Sequence, residues 1–452
     1  MPSPKKFRRL VGLLLALAGT AQAQGLTELY QAARGFDAAY LSARALAESA
    51  PYRAAQSDAL NRPNVALAGS ATRTDGRTST ASGASSQRDS NAKQLAVNAR
   101  QALFNRSNDV TIAQSQRSVE GSLAELQVAE QDLLVRLTQA YFDVLSAQDT
   151  LTTTRASKQA IAEQLASAKR NFEVGTATIT DTREAQARFD LATAQEIAAQ
   201  NDLRTKRDAL DQLVGRSGVQ PLPLRQPVKL PTELAPESIA AWLEASRALH
   251  PQVQRAQAAL EIARLEVDKA RAGHLPTLDL VGSFSRGNTN GAGVQFSTTN
   301  GTTQTRSVGV QLNMPLYAGG SVSNRVEETL RLEDKARNDL EAAQRAVALQ
   351  TRQLWSAVQS GSAQVGALEA AESSSRLALE ATQLGYRVGV RVNLDVLNAQ
   401  TQLYTTQRDL YRARYDLLVG ALKLRQAAGL LEPGDLQVVE PMLAASAPTQ
   451  TP

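Results

Sequence analysis

Hydrophobic and polar positions alternate along this chain in two rhythms, and the change from one to the other occurs twice. Leu278, Leu280, Gly282 and Phe284 interleave with Thr277, Asp279, Val281 and Ser283, and Val308, Val310, Leu312 and Met314 continue the period of two. Earlier in the chain, Val65, Leu67, Gly69 and Ala71 form one such set and Leu95, Val97 and Ala99 another. A period of two puts alternate side chains on opposite faces of a strand. It predicts strands over about 64–73, 93–104, 277–286 and 306–317. Each is about ten residues long, the length of a tilted membrane-crossing strand. The intervening linkers, 74–92 and 287–305, are rich in Gly, Ser, Thr and Asn. Two soluble hairpins would share this pattern.

The second rhythm is helical. Neither 107–174 nor 321–388 contains a proline, and apolar residues recur at helical spacing, as in Ile161, Leu165, Ala168 and Phe172. A helix of that length extends on the order of 100 Å. Gly175 and Gly389 interrupt, and second helices are predicted over 181–214 and 395–428. Leu403, Leu410, Leu417 and Leu424 are spaced by seven, which marks a coiled-coil seam. Their counterparts are Phe189, Glu196, Leu203 and Leu210. Each strand pair is also preceded by a helical stretch, about 26–61 and 238–273, that stops before Pro63 or Pro276, because proline disfavours the helical conformation in the residue before it.

These segments form an internal duplication. At an offset of 213, Leu29, Arg34, Pro63, Leu67 and Gly69 meet Trp242, Arg247, Pro276, Leu280 and Gly282. Past residue 105 the offset becomes 214, and Tyr141, Gly175, Asp181, Gln186 and Gly215 meet Trp355, Gly389, Asp395, Gln400 and Gly429. The first repeat is assigned to 24–215 and the second to 242–429. Between them, 216–241 carries Pro221, Pro223, Pro227, Pro231 and Pro236 and reads as an extended connection. The tail, 430–452, is rich in proline and small residues and is expected to end disordered.

Charge and composition narrow the class. The formal charge is +5, but Lys5, Lys6, Arg8 and Arg9 precede the apolar run Leu10–Ala18 and an Ala21-Gln22-Ala23 site. Residues 1–23 thus read as a secretory signal peptide. Its removal takes away four cations and no acid, leaving +1, so the basic balance does not argue for nucleic acid. The absence of cysteine excludes a disulfide framework, a thiol nucleophile and a lipoprotein anchor. The two histidines, His250 and His274, have no second ligand at metal-binding spacing and read as surface residues. No nucleophile or nucleotide motif is present, so no enzyme activity and no cofactor are predicted. After residue 23 no run is long and apolar enough for a membrane helix, so any crossing must use strands. Four strands cannot close into a barrel, whereas eight from two chains or twelve from three can.

Three stretches carry a resemblance to a known family. Gly273-His274-Leu275-Pro276-Thr277-Leu278-Asp279-Leu280, then Met314-Pro315-Leu316-Tyr317 with Gly319-Gly320, and then Tyr386, Val388-Gly389 and Leu394-Asp395-Val396-Leu397 with Ala399 resemble the TolC family of outer-membrane efflux and secretion channels. The resemblance implies a mainly α protein with a β-barrel contribution. It implies a homotrimer whose chains give four strands each to a 12-stranded barrel above a 12-helix periplasmic α-barrel. The linkers would be extracellular loops, while 216–241 and the segment after Gly429 would lie in an equatorial belt.

The function it implies is passive conduction of cargo in the outer membrane of a Gram-negative bacterium. The partners would be outer-membrane lipid, a periplasmic adaptor and an inner-membrane transporter of the ABC or RND type. By the same resemblance, Thr180 and Asp181 would bond to Tyr386 and Arg391 as a gate lock at the periplasmic tip. Asp395 would form a pore constriction with position 398, which is Asn398 here, so a second acidic ring is missing. From the residues alone, Asp181 and Asp395 also suit helix N-caps after their glycine turns. The competing function is a soluble periplasmic coiled-coil adaptor.

Overall fold

The computed structural model describes residues 25–79, 81–83, 85–225, 238–291 and 301–443. The signal-peptide assignment, the middle of the proline-rich connection and the last residues of the tail lie outside these. The chain divides into two compact units. One comprises residues 46–124 and 255–342, and the other the remaining described residues.

The first of these units is built on four strands: β1 Asn64–Ser79, β2 Ser85–Phe104, β3 Thr277–Gly291 and β4 Gly301–Asn313. They form one antiparallel sheet in the order β1-β2-β3-β4, leaving β1 and β4 as edges. The register aligns the apolar positions on one face. Leu67 faces Val97, Val97 faces Phe284, and Leu280 faces Val310. Those side chains remain exposed in the single chain, Val308 at 84% and Leu67 at 68%. The opposite face is more polar and holds an ion pair from Arg100 to the buried Asp279 at 2.7 Å. A bulge between Ala102 and Phe104 ends the regular pairing of β2 with β3.

The strands correct two expectations. Most of the residues assigned to loops are strand, since β1 runs on to Ser79 and β2 starts at Ser85. Polar Thr, Ser and Asn hide the alternation there, while backbone pairing continues without regard to side-chain polarity. At the other end β4 stops at Asn313 and not at residue 317, because Pro315 has no N–H for the ladder.

The helices of the two repeats follow a common plan. In the first repeat they are α1 Leu26–Phe36, α2 Ala38–Asp58, α3 Arg106–Glu173 and α4 Ile179–Val214. In the second they are α5 Ile239–Leu249, α6 Pro251–Ala272, α7 Ser321–Arg387 and α8 Asn393–Ala427, followed by a short α9, Asp435–Val439. The stretches preceding the strands are each broken once, where one helix was expected. Asp37 leaves the helix and its Oδ1 accepts the Tyr40 N–H at 2.8 Å, starting α2. His250 precedes Pro251 and is forced out of the helical region.

The larger core lies in the second unit. Leu26, Leu29 and Tyr30 of α1 pack with Leu133, Leu137, Tyr141 and Phe142 of α3 and with Leu418 and Leu422 of α8. Val219 and Leu224 from the proline-rich connection join this core, as do Leu431, Leu436, Val439 and Leu443 from the tail. Leu224 pairs with Leu443, and the Arg225 N–H donates to the Met442 carbonyl at 2.7 Å. The tail is therefore ordered through Leu443, since its apolar residues find a core that composition could not reveal.

His250 corrects a further expectation. It is buried, its Nδ1 accepts the Gln252 N–H at 3.2 Å, and burial lowers its pKa. His274 is exposed.

Candidate functional site

The ends of the long helices hold two of the four predicted gate-lock residues, Asp181 and Tyr386, in contacts between the repeats, but not with the partners expected of them. In each repeat a left-handed glycine closes the long helix, Gly175 at φ 79° and Gly389 at φ 83°. The Thr176 N–H returns to the Asn171 carbonyl at 2.8 Å, and the Val390 N–H to the Gly385 carbonyl at 2.9 Å. These bonds satisfy the terminal carbonyls and turn the chain into the next helix. A small apolar seat holds the ends in place: Ile161, Leu165 and Ala168 of α3, Ala185 and Ala192 of α4, and Leu397 of α8.

The two second helices begin differently. In the first repeat Thr178 is the N-cap. Its Oγ1 accepts the Asp181 N–H at 3.2 Å, and Asp181 Oδ2 accepts the Thr178 N–H at 3.0 Å and its hydroxyl at 2.7 Å. This is a closed capping box. Asp181 is thus the third helical residue and not the N-cap, because Thr178 supplies the capping oxygen. The equivalent cap in the second repeat is Val392, whose side chain offers no acceptor. Only the reverse bond exists there, from the Val392 N–H to Asp395 Oδ2 at 3.4 Å. Asp395 is likewise third in its helix.

Contacts between the repeats cross this region. Asn171 Nδ2 donates to the Tyr386 hydroxyl at 3.1 Å, and Asn393 Nδ2 to the Asp181 backbone carbonyl at 3.4 Å. Gln164 Nε2 donates to Asn393 Oδ1. Arg188 donates to Asn398 Oδ1 at 3.1 Å. Among the described residues, the carboxylate that meets Arg391 is Asp395 at 3.7 Å, not Asp181. Arg391 is 62% exposed in this pair, and Thr180 is exposed as well. Within one chain, then, Tyr386, Asp181 and Asn398 are tied across the repeats, whereas Thr180 and Arg391 face outward.

Asn171, Gln164, Asn393 and Arg188 escaped the sequence reading. Only Arg188 carried a usable signal. It stands seven residues after Asp181 and four after Glu184, on the same helical face, and puts a cation beside Asn398. The three amides look like ordinary helix-surface residues until the partner helix is in place.

Farther along the helices, two acidic groups are held by partners on neighbouring helices, Asp149 half-buried and Glu196 nearer the surface. Asp149 accepts the Tyr415 hydroxyl at 2.5 Å, and Phe142 stacks on Tyr415. Burial raises the Asp149 pKa, and burial with the neighbouring carboxylate raises that of Tyr415. Glu196, at a seam position, accepts from Lys158 and Arg155 at 3.0 Å each, and these cations hold its carboxyl below the usual range. Among the described residues no group of three acidic or histidine side chains could hold a metal ion, and no helix is long and apolar enough to cross a membrane.

A sheet with one apolar exposed face and two open edges, in a chain of paired long helices, defines a subunit of a β-barrel membrane channel. The family follows from comparison with known proteins: the family model described as outer membrane efflux protein matches residues 29–216 and again 242–430, and the chain belongs to that family. It is 31% identical over 425 residues to the outer membrane protein TolC of Vibrio cholerae, covering 94% of each chain. It is 36% identical over 313 residues to the alkaline protease secretion protein AprF of Pseudomonas aeruginosa, covering 68% of this chain and 64% of that one. The crystal structure of the outer membrane protein VceC of Vibrio cholerae superposes with a TM-score of 0.75 at 19% identity, covering 89% of this chain and 96% of VceC. The protein is an outer-membrane efflux or secretion channel of the TolC family in a Gram-negative bacterium, and not the soluble adaptor that the sequence also allowed.

Proposed function

We propose that three copies of the chain close one 12-stranded barrel and one helical duct. The duct conducts cargo passively from an inner-membrane transporter, joined through a periplasmic adaptor. The observation that carries this reading is the four-stranded sheet with both edges unpaired and its apolar face exposed. Further copies of the same sheet would pair such edges and close the barrel. The secretion role that AprF's name carries favours protein cargo and an ABC-type transporter over a drug pump.

The gate lies where the helix ends are tied together. Asn171–Tyr386, Asn393–Asp181 and Arg188–Asn398 hold each protomer's repeats together, and the exposed Thr180 and Arg391, the latter beside its own Asp395 at 3.7 Å, would meet a neighbouring protomer. Asp395 would line the constriction as one acidic ring, and Arg188 beside Asn398 would weaken its cation selectivity.

The test is native mass spectrometry of the detergent-extracted outer-membrane protein together with planar-bilayer recording. Three chains per particle and a closed resting channel are expected. A monomer recovered in the aqueous fraction would overturn the assembly, and a trimer that conducts fully at rest would overturn the gate.

A further inference from the structure

We propose that the exposed apolar face of the sheet carries, at its hairpin end, a binding site for the phosphate groups of outer-leaflet lipid. The register places the cations. Successive cross-strand rows on this face read Val65–Ala99–Gly282–Val308, then Leu67–Val97–Phe284–Arg306, then Gly69–Leu95–Arg286–Gln304, then Ala71–Lys93–Asn288–Thr302. The rows are apolar nearest the helices and become basic toward the tips. Arg306, Arg286 and Lys93 occupy three successive rows, so their charges ascend diagonally across β4, β3 and β2.

Three features make this an anion site and not a scatter of surface charge. Lys93 and Arg286 line one shallow trough of about 600 Å³, together with Gly69, Leu95, Asn288 and Thr302. Gly69 leaves that floor open, because a Cβ there would meet only Leu95, at 3.6 Å. Among the described residues, neither Lys93 nor Arg286 has a carboxylate partner. Arg306 instead lies over the Phe284 ring at 5.6 Å, its stem along the apolar band and its charge at the band's edge. The acids of this face, Asp75 and Asp89, stand opposite each other nearer the tips, and Asp75 is engaged by Arg73 at 3.3 Å.

Cations placed where hydrocarbon ends are matched by the phosphates of lipid headgroups. Arg286 offers a planar donor fork and Lys93 a point charge, with the Asn288 amide and Thr302 hydroxyl as further polar groups in the trough. The chemistry suits a headgroup with phosphate directly above an acyl layer, and the contiguous apolar rows select the lipid over free phosphate. The site would make the channel prefer phosphorylated lipid around its outer rim.

The proposal takes from the trimeric barrel only which face meets lipid. Its test is native mass spectrometry of the full-length protein released from nanodiscs. The nanodiscs contain neutral phosphatidylcholine with a trace of either bis-phosphorylated lipid A or the same lipid dephosphorylated. The wild type should retain the phosphorylated form selectively. In Lys93→Gln/Arg286→Gln, retention should fall about 25-fold, roughly fivefold per cation, while Lys93→Arg/Arg286→Lys should keep most of it. Excess inorganic phosphate should not displace the lipid. Equal retention of both lipids by the wild type overturns the site without needing any variant, as do equal retention by the glutamine variant and release by phosphate alone. A trimer without selectivity defeats this inference only, whereas a monomer defeats the barrel itself.

Discussion

Replacing Tyr386 with phenylalanine tests the gate at its best-defined bond. The substitution keeps the ring and removes only the oxygen that accepts from Asn171 at 3.1 Å. Both residues are half-buried, so the freed Asn171 amide can turn to water, and the loss is that of a neutral bond with a solvated alternative. Such a bond contributes about 0.5–1 kcal/mol. If three protomers open together, the closed state loses about 1.5–3 kcal/mol, which raises the open-to-closed ratio about 10- to 150-fold. Single-channel recording in planar bilayers reads that ratio directly as open probability. The conductance of the fully open state should not change, because the substitution keeps the ring and removes only its hydroxyl. An open probability within twofold of the wild type would refute the assignment of this bond to the gate. A rise matched by Asn171→Ala, with no further rise in the double variant, would place both effects in the one contact.

Other outcomes follow from the same geometry. Asp395→Ala should lower cation selectivity in bilayer reversal-potential measurements, and Arg188→Gln should raise it; no change in the first would remove Asp395 from the constriction. Thr178→Ala should destabilise the start of α4 by about 1 kcal/mol, and Val392→Thr should protect the start of α8 by a similar amount, both read by amide hydrogen exchange at those turns. Gly429→Ala forces a side chain into φ 74° with its Cβ 2.6 Å from the His250 backbone, costing about 2–4 kcal/mol. Gly389→Ala meets nothing within reach, so its cost is strain alone, about 1 kcal/mol; comparable losses in thermal midpoint would contradict the packing. Burial gives Asp149 a raised folded pKa, so its contribution to stability is full below the unfolded carboxylate value of about 4 and is lost as pH climbs through the folded value. The wild-type thermal midpoint should therefore fall more than that of Asp149→Asn between acid and neutral pH.

The contacts at the ends of the long helices were only partly legible in the sequence. Asp181, Tyr386 and Asn398 could be placed because a resemblance carries residue types in a fixed order past a glycine turn. Their partners could not, since Asn171, Gln164 and Arg188 acquire roles only from helices more than 180 residues away in sequence. The sequence also concealed the difference between the caps. Asp181 and Asp395 occupy matching positions, yet only Thr178 has the oxygen to complete the box. The strand ends failed for another reason: pairing extends through Thr and Ser residues whose side chains carry no alternation.

By itself the sequence determined the order of the elements, the duplication and the two periodicities, because these are local properties of side-chain spacing and of proline and glycine. It also showed that four strands are too few for one chain to close a barrel alone. Tertiary structure decided the burial of His250 and of the tail through Leu443, the pairing of Asp149 with Tyr415, and which amides hold the helix ends. It also decided that Lys93, Arg286 and Arg306 share a face. Each depends on the register between segments far apart in the chain, and register is set by packing and backbone pairing summed over whole elements. No single stretch of sequence carries that sum.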